Sequence, residues 1–412
     1  MRKFLVFFLL VVKSLSAWEP LAVYTLLENH PEERMAIQWV ATDQKAQTTL
    51  EFSEAGSEHW FMAYGNKNLL PGPHSLYIHR VVLEKLKADT VYHFRIQPSK
   101  EIYTFRTLPA EMERPITFVV GGDIFHDTID YVRKMNRVAA AQNPDFAMLG
   151  GDIAYTSSKI TFLFDKLFDW SEEILAKLRL RQSRSARWME WLRAWSADMV
   201  TKDGRKIPML TTIGNHDVDG GYDQTKEEAR TFYLLFVGES PTVYRTVDIG
   251  KDISIFALDS GHTAPVEGPQ KTWLYESLRE RKDVPNKFAI YHVPAYPSAR
   301  SFTNKYSKVV RNHWVPLFEA FGVRTAFEHH DHAYKRTVPI RNGKEDPQGV
   351  MYMGDGAWGV KNPRKPKKKL WYLAESAQKR NVIHVQVEKD KIGYTAIDED
   401  NKILDQVGLR NQ

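Results

Sequence analysis

From residue 116 onward the apolar residues of this chain gather into short continuous runs: Ile116–Val120, Phe146–Leu149, Ile253–Leu258 and Phe288–Tyr291, with helical stretches between them. A strand that is apolar at every position has no solvated face, so it belongs in a sheet covered on both sides. The pattern therefore predicts central strands buried between helices, an α/β arrangement spanning residues 116–410. Thr161 to Val200 reads as helical, with Trp188, Trp191 and Trp195 on one face at helical spacing. Such a stripe packs into a core far more often than it forms a ligand platform. Asn381–Val387 and Gly393–Ile397 read as closing strands, and the basic stretch 178–187 (LRLRQSRSAR) as surface.

Residues 18–110 follow a different rhythm. Met35-Ala36-Ile37-Gln38-Trp39 and Tyr92-His93-Phe94-Arg95-Ile96 alternate, one face apolar and one polar, and Gly65-Asn66 and Pro71-Gly72-Pro73 supply turns. This predicts an antiparallel β domain. A tryptophan in an early strand, followed by Leu86–Tyr92, resembles the fibronectin type III fold, an antiparallel β-sandwich, with Tyr92 at its tyrosine corner. The charged, proline-containing segment Ala110–Pro115 is the expected linker.

The first seventeen residues, MRKFLVFFLLVVKSLSA, have a charged start, an apolar run from Phe4 to Val12 and small residues ending at Ala17. They read as a signal peptide, too short to span a bilayer, which implies a secreted or periplasmic protein. No other stretch is apolar enough for a membrane helix. With 0 cysteines there are no disulfides, thiolate metal sites or cysteine nucleophiles, so any metal must be held by oxygen and nitrogen. Without the three basic residues of the leader the net charge falls from +6 to +3, which does not argue for nucleic-acid binding. The basic run Arg364–Lys369 (RKPKKK) reads first as a solvated loop. Nothing in the pattern fixes an oligomeric state.

Chemistry-bearing residues fall just behind the apolar runs. GGD occupies 121–123, GGDIAY 150–155, GNHD 214–217, YH 291–292 and FEHHDHAYKR 327–336. Loops at the carboxyl ends of buried strands are where α/β folds place ligands. Neutral imidazole is the commonest protein metal ligand, and His330 and His332, one residue apart, can reach two ions lying side by side. One GD dipeptide is a weak signal; five ordered motifs are a strong one.

The series GD, GDxxY, GNHD, a lone histidine and HxHxYxR resembles the purple acid phosphatases, a branch of the calcineurin-like metallophosphoesterases, over nearly the whole chain after the leader. The resemblance implies an N-terminal sandwich and a catalytic domain of two sheets between helices (αββα). It implies a first metal held by Asp123, Asp152, Tyr155 and His332, and a second held by Asp152, Asn215, His292 and His330, with Asp152 bridging. His216 matches a histidine that contacts phosphate oxygens or the leaving group. Carboxylate, imidazole and phenolate suit iron(III); carboxamide, imidazole and carboxylate suit Zn, Mn or Fe(II). The implied reaction is hydrolysis of a phosphate monoester by metal-bound hydroxide, with Asp152 and His216 as catalytic residues. Tyr155 takes the place of an aspartate usual in the wider superfamily, and Phe125 that of a ligating histidine, so the two changes compensate.

The chain departs from its relatives at His329, preceded by Glu328, where small residues are usual. These two could narrow the site or lie on the surface. Beyond His292 the histidines of plant-type members are replaced by VPAYPSARSFTNKY, leaving Tyr296, Arg300 and Tyr306 as candidate substrate contacts beside Asn215, His216 and His329. His126 reads as a neighbour of a ligand; His262, His313 and His384 read as structural or solvated. A phosphodiesterase or nucleotide phosphatase on the same metals, and a secreted adhesion module with an inactive site, are the alternatives.

Overall fold

The computed structural model describes residues 19–42, 47–72, 75–156, 184–238, 240–354 and 356–410. The expected signal peptide and most of the basic stretch 178–187 lie outside the described residues, as does the first part of the helix expected from Thr161.

Two sheets face each other across the catalytic half. In the first, Ile116–Gly121, Phe146–Leu149 and Met209–Thr211 run parallel, flanked by Asn381–Val387, Lys391–Asp398 and Ile403–Arg410. In the second, Ile253–Ala257, Asn286–Ile290, Thr325–Glu328 and Met351–Gly354 are parallel, with antiparallel strands at both edges. Alternate side chains of each buried strand point to opposite faces. Phe118 and Phe146 stack at 4.9 Å, and Phe118 meets Phe288 and Phe327 edge-on at 5.5 and 6.2 Å, joining the sheets. Val119, Ala147 and Leu149 point the other way, under helices Ile129–Ala141 and Arg184–Asp198. There Trp188, Trp191 and Trp195 are buried, as the helical stripe predicted. Helices Pro269–Glu280, Lys305–His313 and Val315–Ala320 cover the second sheet, completing the αββα arrangement.

The N-terminal sandwich forms as expected, with a core of Ile37, Trp39, Val81, Phe94 and Phe105. Tyr92 makes the tyrosine corner: the Lys87 amide donates to its hydroxyl at 2.9 Å. One expectation fails. Met35–Ala41 has no solvated face; all of it is buried. The reason is that Ala22–Leu26 pairs with Met35–Ala41 on one side and parallel with Met209–Thr211 on the other, through Leu26 and Met209. One continuous sheet therefore serves both halves, and its second face is roofed by Tyr233–Val237. Gln38 donates to the Leu234 carbonyl at 3.2 Å and Tyr24 to that of Leu235 at 3.0 Å. Nor is Ala110–Pro115 slack: Arg114 bonds Asp89 at 3.0 Å and Asp145 at 2.9 Å, clamping the halves together.

Phe118 touches both sheets, so Phe118→Ala is expected to cost about 3–5 kcal/mol. Urea unfolding followed by tryptophan fluorescence would reveal it as a lower midpoint.

Candidate metal centre

Five strand ends open onto one rim, and the chain turns there through conformations that side chains seldom adopt. Asp123, Asp152, Tyr155, His330 and His332 have φ of 54°, 53°, 52°, 73° and 58°. Left-handed backbone at non-glycine residues costs energy and persists where the surroundings enforce it. Here a ladder enforces it: the amides of Asp123, Ile124 and Phe125 donate to the carbonyls of Gly151, Asp152 and Ile153 at 3.0, 2.9 and 2.9 Å. Glycine is required where the loops meet. A Cβ on Gly150 would lie 1.7 Å from His329, and one on Gly356 1.9 Å from the Asp123 carboxylate.

These turns aim the side chains inward into two groups. In one, the Tyr155 hydroxyl lies 2.8 Å from Asp123 Oδ1 and 3.2 Å from His332 Nε2, and His332 Nε2 lies 2.8 Å from the same carboxylate oxygen. In the other, His292 Nε2 lies 3.1 Å from His330 Nδ1, 3.2 Å from Asn215 Oδ1 and 3.3 Å from Asp152 Oδ2. Ligand atoms of Asp152, His292 and His330 all fall within 4.8 Å of one another. His292 Nδ1 faces the Gly150 carbonyl at 2.8 Å, which fixes the ring so that Nε2 points into the cluster. His216 stacks on Tyr155 at 4.7 Å, its amide bonded to Asp152 Oδ1 at 2.7 Å.

The electrostatics of this cluster call for cations. Asp123 and Asp152 are fully buried, and among the described residues their ion-pair partners are His332 and His292, not lysine or arginine. Burial alone would raise both carboxyls, but the surrounding imidazoles hold them below the usual carboxylate range. Asp152 Oδ2 is buried without a hydrogen-bond partner. Burial, with Asp123 and Asp152 beside it, pushes the Tyr155 phenol well above its ordinary pKa, so a phenolate there needs an adjacent cation. Buried anions, an orphaned carboxylate oxygen and converging imidazoles fit metal ions of the kind that oxygen and nitrogen donors hold.

Other expected residues land elsewhere. His329 is fully buried, packed against Gly122 and Gly150, with neither ring nitrogen hydrogen-bonded; it does not face substrate. Burial pushes its pKa down to about 3, so the ring is a neutral filler beneath the loops. Glu328, for which a surface position was open, is buried too and pairs with Lys335. Tyr296 is buried against Tyr352 and Tyr372 rather than at the rim. Arg300 pairs with buried Asp331 at 3.2 Å and reaches the His330 carbonyl at 3.3 Å, while Tyr306 stacks on Tyr222 at 3.7 Å. His126 lies edge-on to Tyr155 and His332 at 4.9 and 5.2 Å. His262 is structural, as read, but close: its ring sits 5.6 Å from that of His292. Sequence reasoning missed Asp217, which accepts from Ile153 and Gly214 amides at 2.8 and 3.0 Å. Its position inside GNHD was the available signal.

Two family descriptions match the chain: "Purple acid Phosphatase, N-terminal domain" over residues 20–107 and "Calcineurin-like phosphoesterase" over residues 106–334. Arabidopsis thaliana purple acid phosphatase 18 is 24% identical over 340 residues, which are 79% of this chain and 69% of that protein. Purple acid phosphatase 15 of the same plant is 26% identical over 68% of this chain, and the match spans 53% of that protein. Among solved structures, a purple acid phosphatase from yellow lupin (Lupinus luteus) seeds superposes with a TM-score of 0.73 at 13% identity, covering 94% of this chain and 73% of that one. PhoD gives 0.68 at 11% identity, covering 96% and 91%. At these identities the structures speak for the fold alone.

Gly150→Ala forces His329 aside and, through the His329 amide bonded at 2.9 Å to the His292 carbonyl, disturbs His292. It is expected to lower both metal content and thermal stability. Gly393→Ala, where the nearest atom is 4.0 Å away, serves as the control in metal analysis and calorimetry.

Proposed function

Because this chain belongs to the purple acid phosphatase family of calcineurin-like phosphoesterases, enzymes that hydrolyse phosphate esters with metal ions, we propose that it is a secreted, binuclear phosphomonoesterase. The observation that carries this reading is the division of seven donor side chains into two groups, Asp123–Tyr155–His332 and Asp152–Asn215–His292–His330. In this reading the first group would hold iron(III) and the second Zn, Mn or Fe(II), with Asp152 available to the first as well. Two such ions supply Lewis acidity and lower the pKa of bound water.

The chain's own residues do the rest. The strained loops hold the donors in place before substrate arrives, so little reorganisation is left to the reaction. His292 is kept with Nε2 inward by the Gly150 carbonyl. In this reading His216, half-buried at the rim and held by Tyr155 and Asp152, donates to a phosphoryl or leaving-group oxygen. Secretion rests on residues 1–17 reading as a signal peptide. Among the described residues no helix is long and apolar enough to cross a membrane.

Purified protein is expected to carry about two metal ions per chain and to hydrolyse a chromogenic phosphomonoester faster than the corresponding diester; one ion or none would overturn the binuclear assignment. Tyr155→Phe is expected to abolish any visible charge-transfer band, and a band that survives would assign the phenolate elsewhere. His216→Ala is expected to lower kcat about a hundredfold with metal retained. Loss of metal instead would make His216 a ligand.

A further inference from the structure

Beside His332 a cavity of about 460 Å³ opens to solvent, lined by His126, Asp127, Lys361, Asn362 and Arg364. The backbone amide of Arg364 donates to the His332 carbonyl at 2.8 Å, which anchors the residue against a proposed ligand. Its side chain is half-buried, yet among the described residues no carboxylate lies within ion-pair distance of its guanidinium. The neighbouring Arg300 is different, because buried Asp331 takes its charge at 3.2 Å. Lys361 reaches Asp127 at 3.5 Å, but both side chains are largely exposed (58% and 41%), and such a pair is readily exchanged for another anion. Burial, and then the charge of Arg300, push the Arg364 pKa down.

A half-buried guanidinium without a counter-ion is expensive unless an anion arrives, and its planar fork matches phosphate oxygens. The phosphoryl group under attack is already provided for by the metal centre and His216. What remains one cavity away can read a second anionic group on the same molecule. We propose that Arg364, assisted by Lys361 and Asn362, forms a second phosphate subsite that selects phosphate esters whose leaving group carries a further phosphate. This rests on the phosphomonoesterase reading and deepens it. The run Lys365–Lys369 beyond it is mostly exposed and acts at most as a diffuse field.

The test is a matched pair of substrates, butyl phosphate and 1,4-butanediol bisphosphate, with p-nitrophenyl phosphate as the reference for activity. Wild type is expected to favour the bisphosphate through a lower KM. Arg364→Ala is expected to reduce that kcat/KM ratio about tenfold, mostly in KM, with Arg364→Lys recovering part of it and Lys368→Ala leaving it unchanged. Calorimetric binding of butane-1,4-diphosphonate against butylphosphonate supplies a readout without turnover and is expected to lose its preference in Arg364→Ala. A wild-type ratio near one, or equal losses on both substrates in Arg364→Ala and Arg364→Lys, would overturn the subsite. Failure of the metal-loaded wild type to hydrolyse p-nitrophenyl phosphate would instead reject the phosphomonoesterase reading itself.

Discussion

Asp123 and Asp152 are carboxylates in a dry interior, faced by imidazoles rather than by lysine or arginine, and the surrounding structure answers to that cost. An uncompensated buried charge is among the most destabilising features a fold can carry. The chain adds backbone strain to it at five residues on three loops, each residue costing on the order of 1–3 kcal/mol. Such an arrangement survives because the strands that launch the turns are buried on both faces and cannot yield. Cations relieve the charge; the sheets bear the strain.

Further buried carboxylates tie the loops to one another. Glu328, paired with Lys335, accepts from the Tyr291 hydroxyl and the Ala295 amide, both at 2.6 Å, so the loop after His292 is fastened to the strand before His330. Asp331 does the same further out, accepting from Ala299 and Arg300 amides at 2.7 and 3.0 Å. Asp217 joins the turn at Gly214 to the turn at Ile153. Glu328 and Asp217 have both oxygens hydrogen-bonded, and Asp331 turns its other oxygen to the Arg300 guanidinium at 3.2 Å; such partners are what permit polar groups to be buried there. The geometry of the centre is thus set as much by its neighbours as by the donors themselves.

How much of this was legible in the sequence depends on the kind of signal. Continuous apolar runs announced the buried parallel strands, and the motifs behind them announced the donors, because both are local patterns. The roofing of Met35–Ala41 was not legible. It arises from pairing between Leu26 and Met209, residues far apart in sequence, and alternation alone cannot say what covers a face. His329 was misjudged for a similar reason. A histidine beside two metal-ligand candidates invites a functional role, yet the glycines at 122 and 150 leave a space that its neutral ring fills. Arg364 was hidden inside a run of charges, where one half-buried guanidinium looks no different from its exposed neighbours.

Positions 125 and 155 are linked in the packing. Phe125 lies under the Arg187 guanidinium at 4.0 Å, and that same group donates to the carbonyls of Phe125 and Ala154. Phe125 and the residue before Tyr155 are therefore held by one clamp. A polar ligand at 125 would lose its face to Arg187 and unsettle the turn that aims Tyr155 inward. The aromatic ring at 125 and the phenol at 155 function as a unit: one builds the turn, the other uses it. The rim is looser, since among the described residues the Arg364 guanidinium has no carboxylate partner and Lys361 pairs with Asp127 only between exposed side chains. Chemistry is therefore built into the rigid floor, and the choice among substrates falls to side chains such as Arg364 that the floor does not constrain.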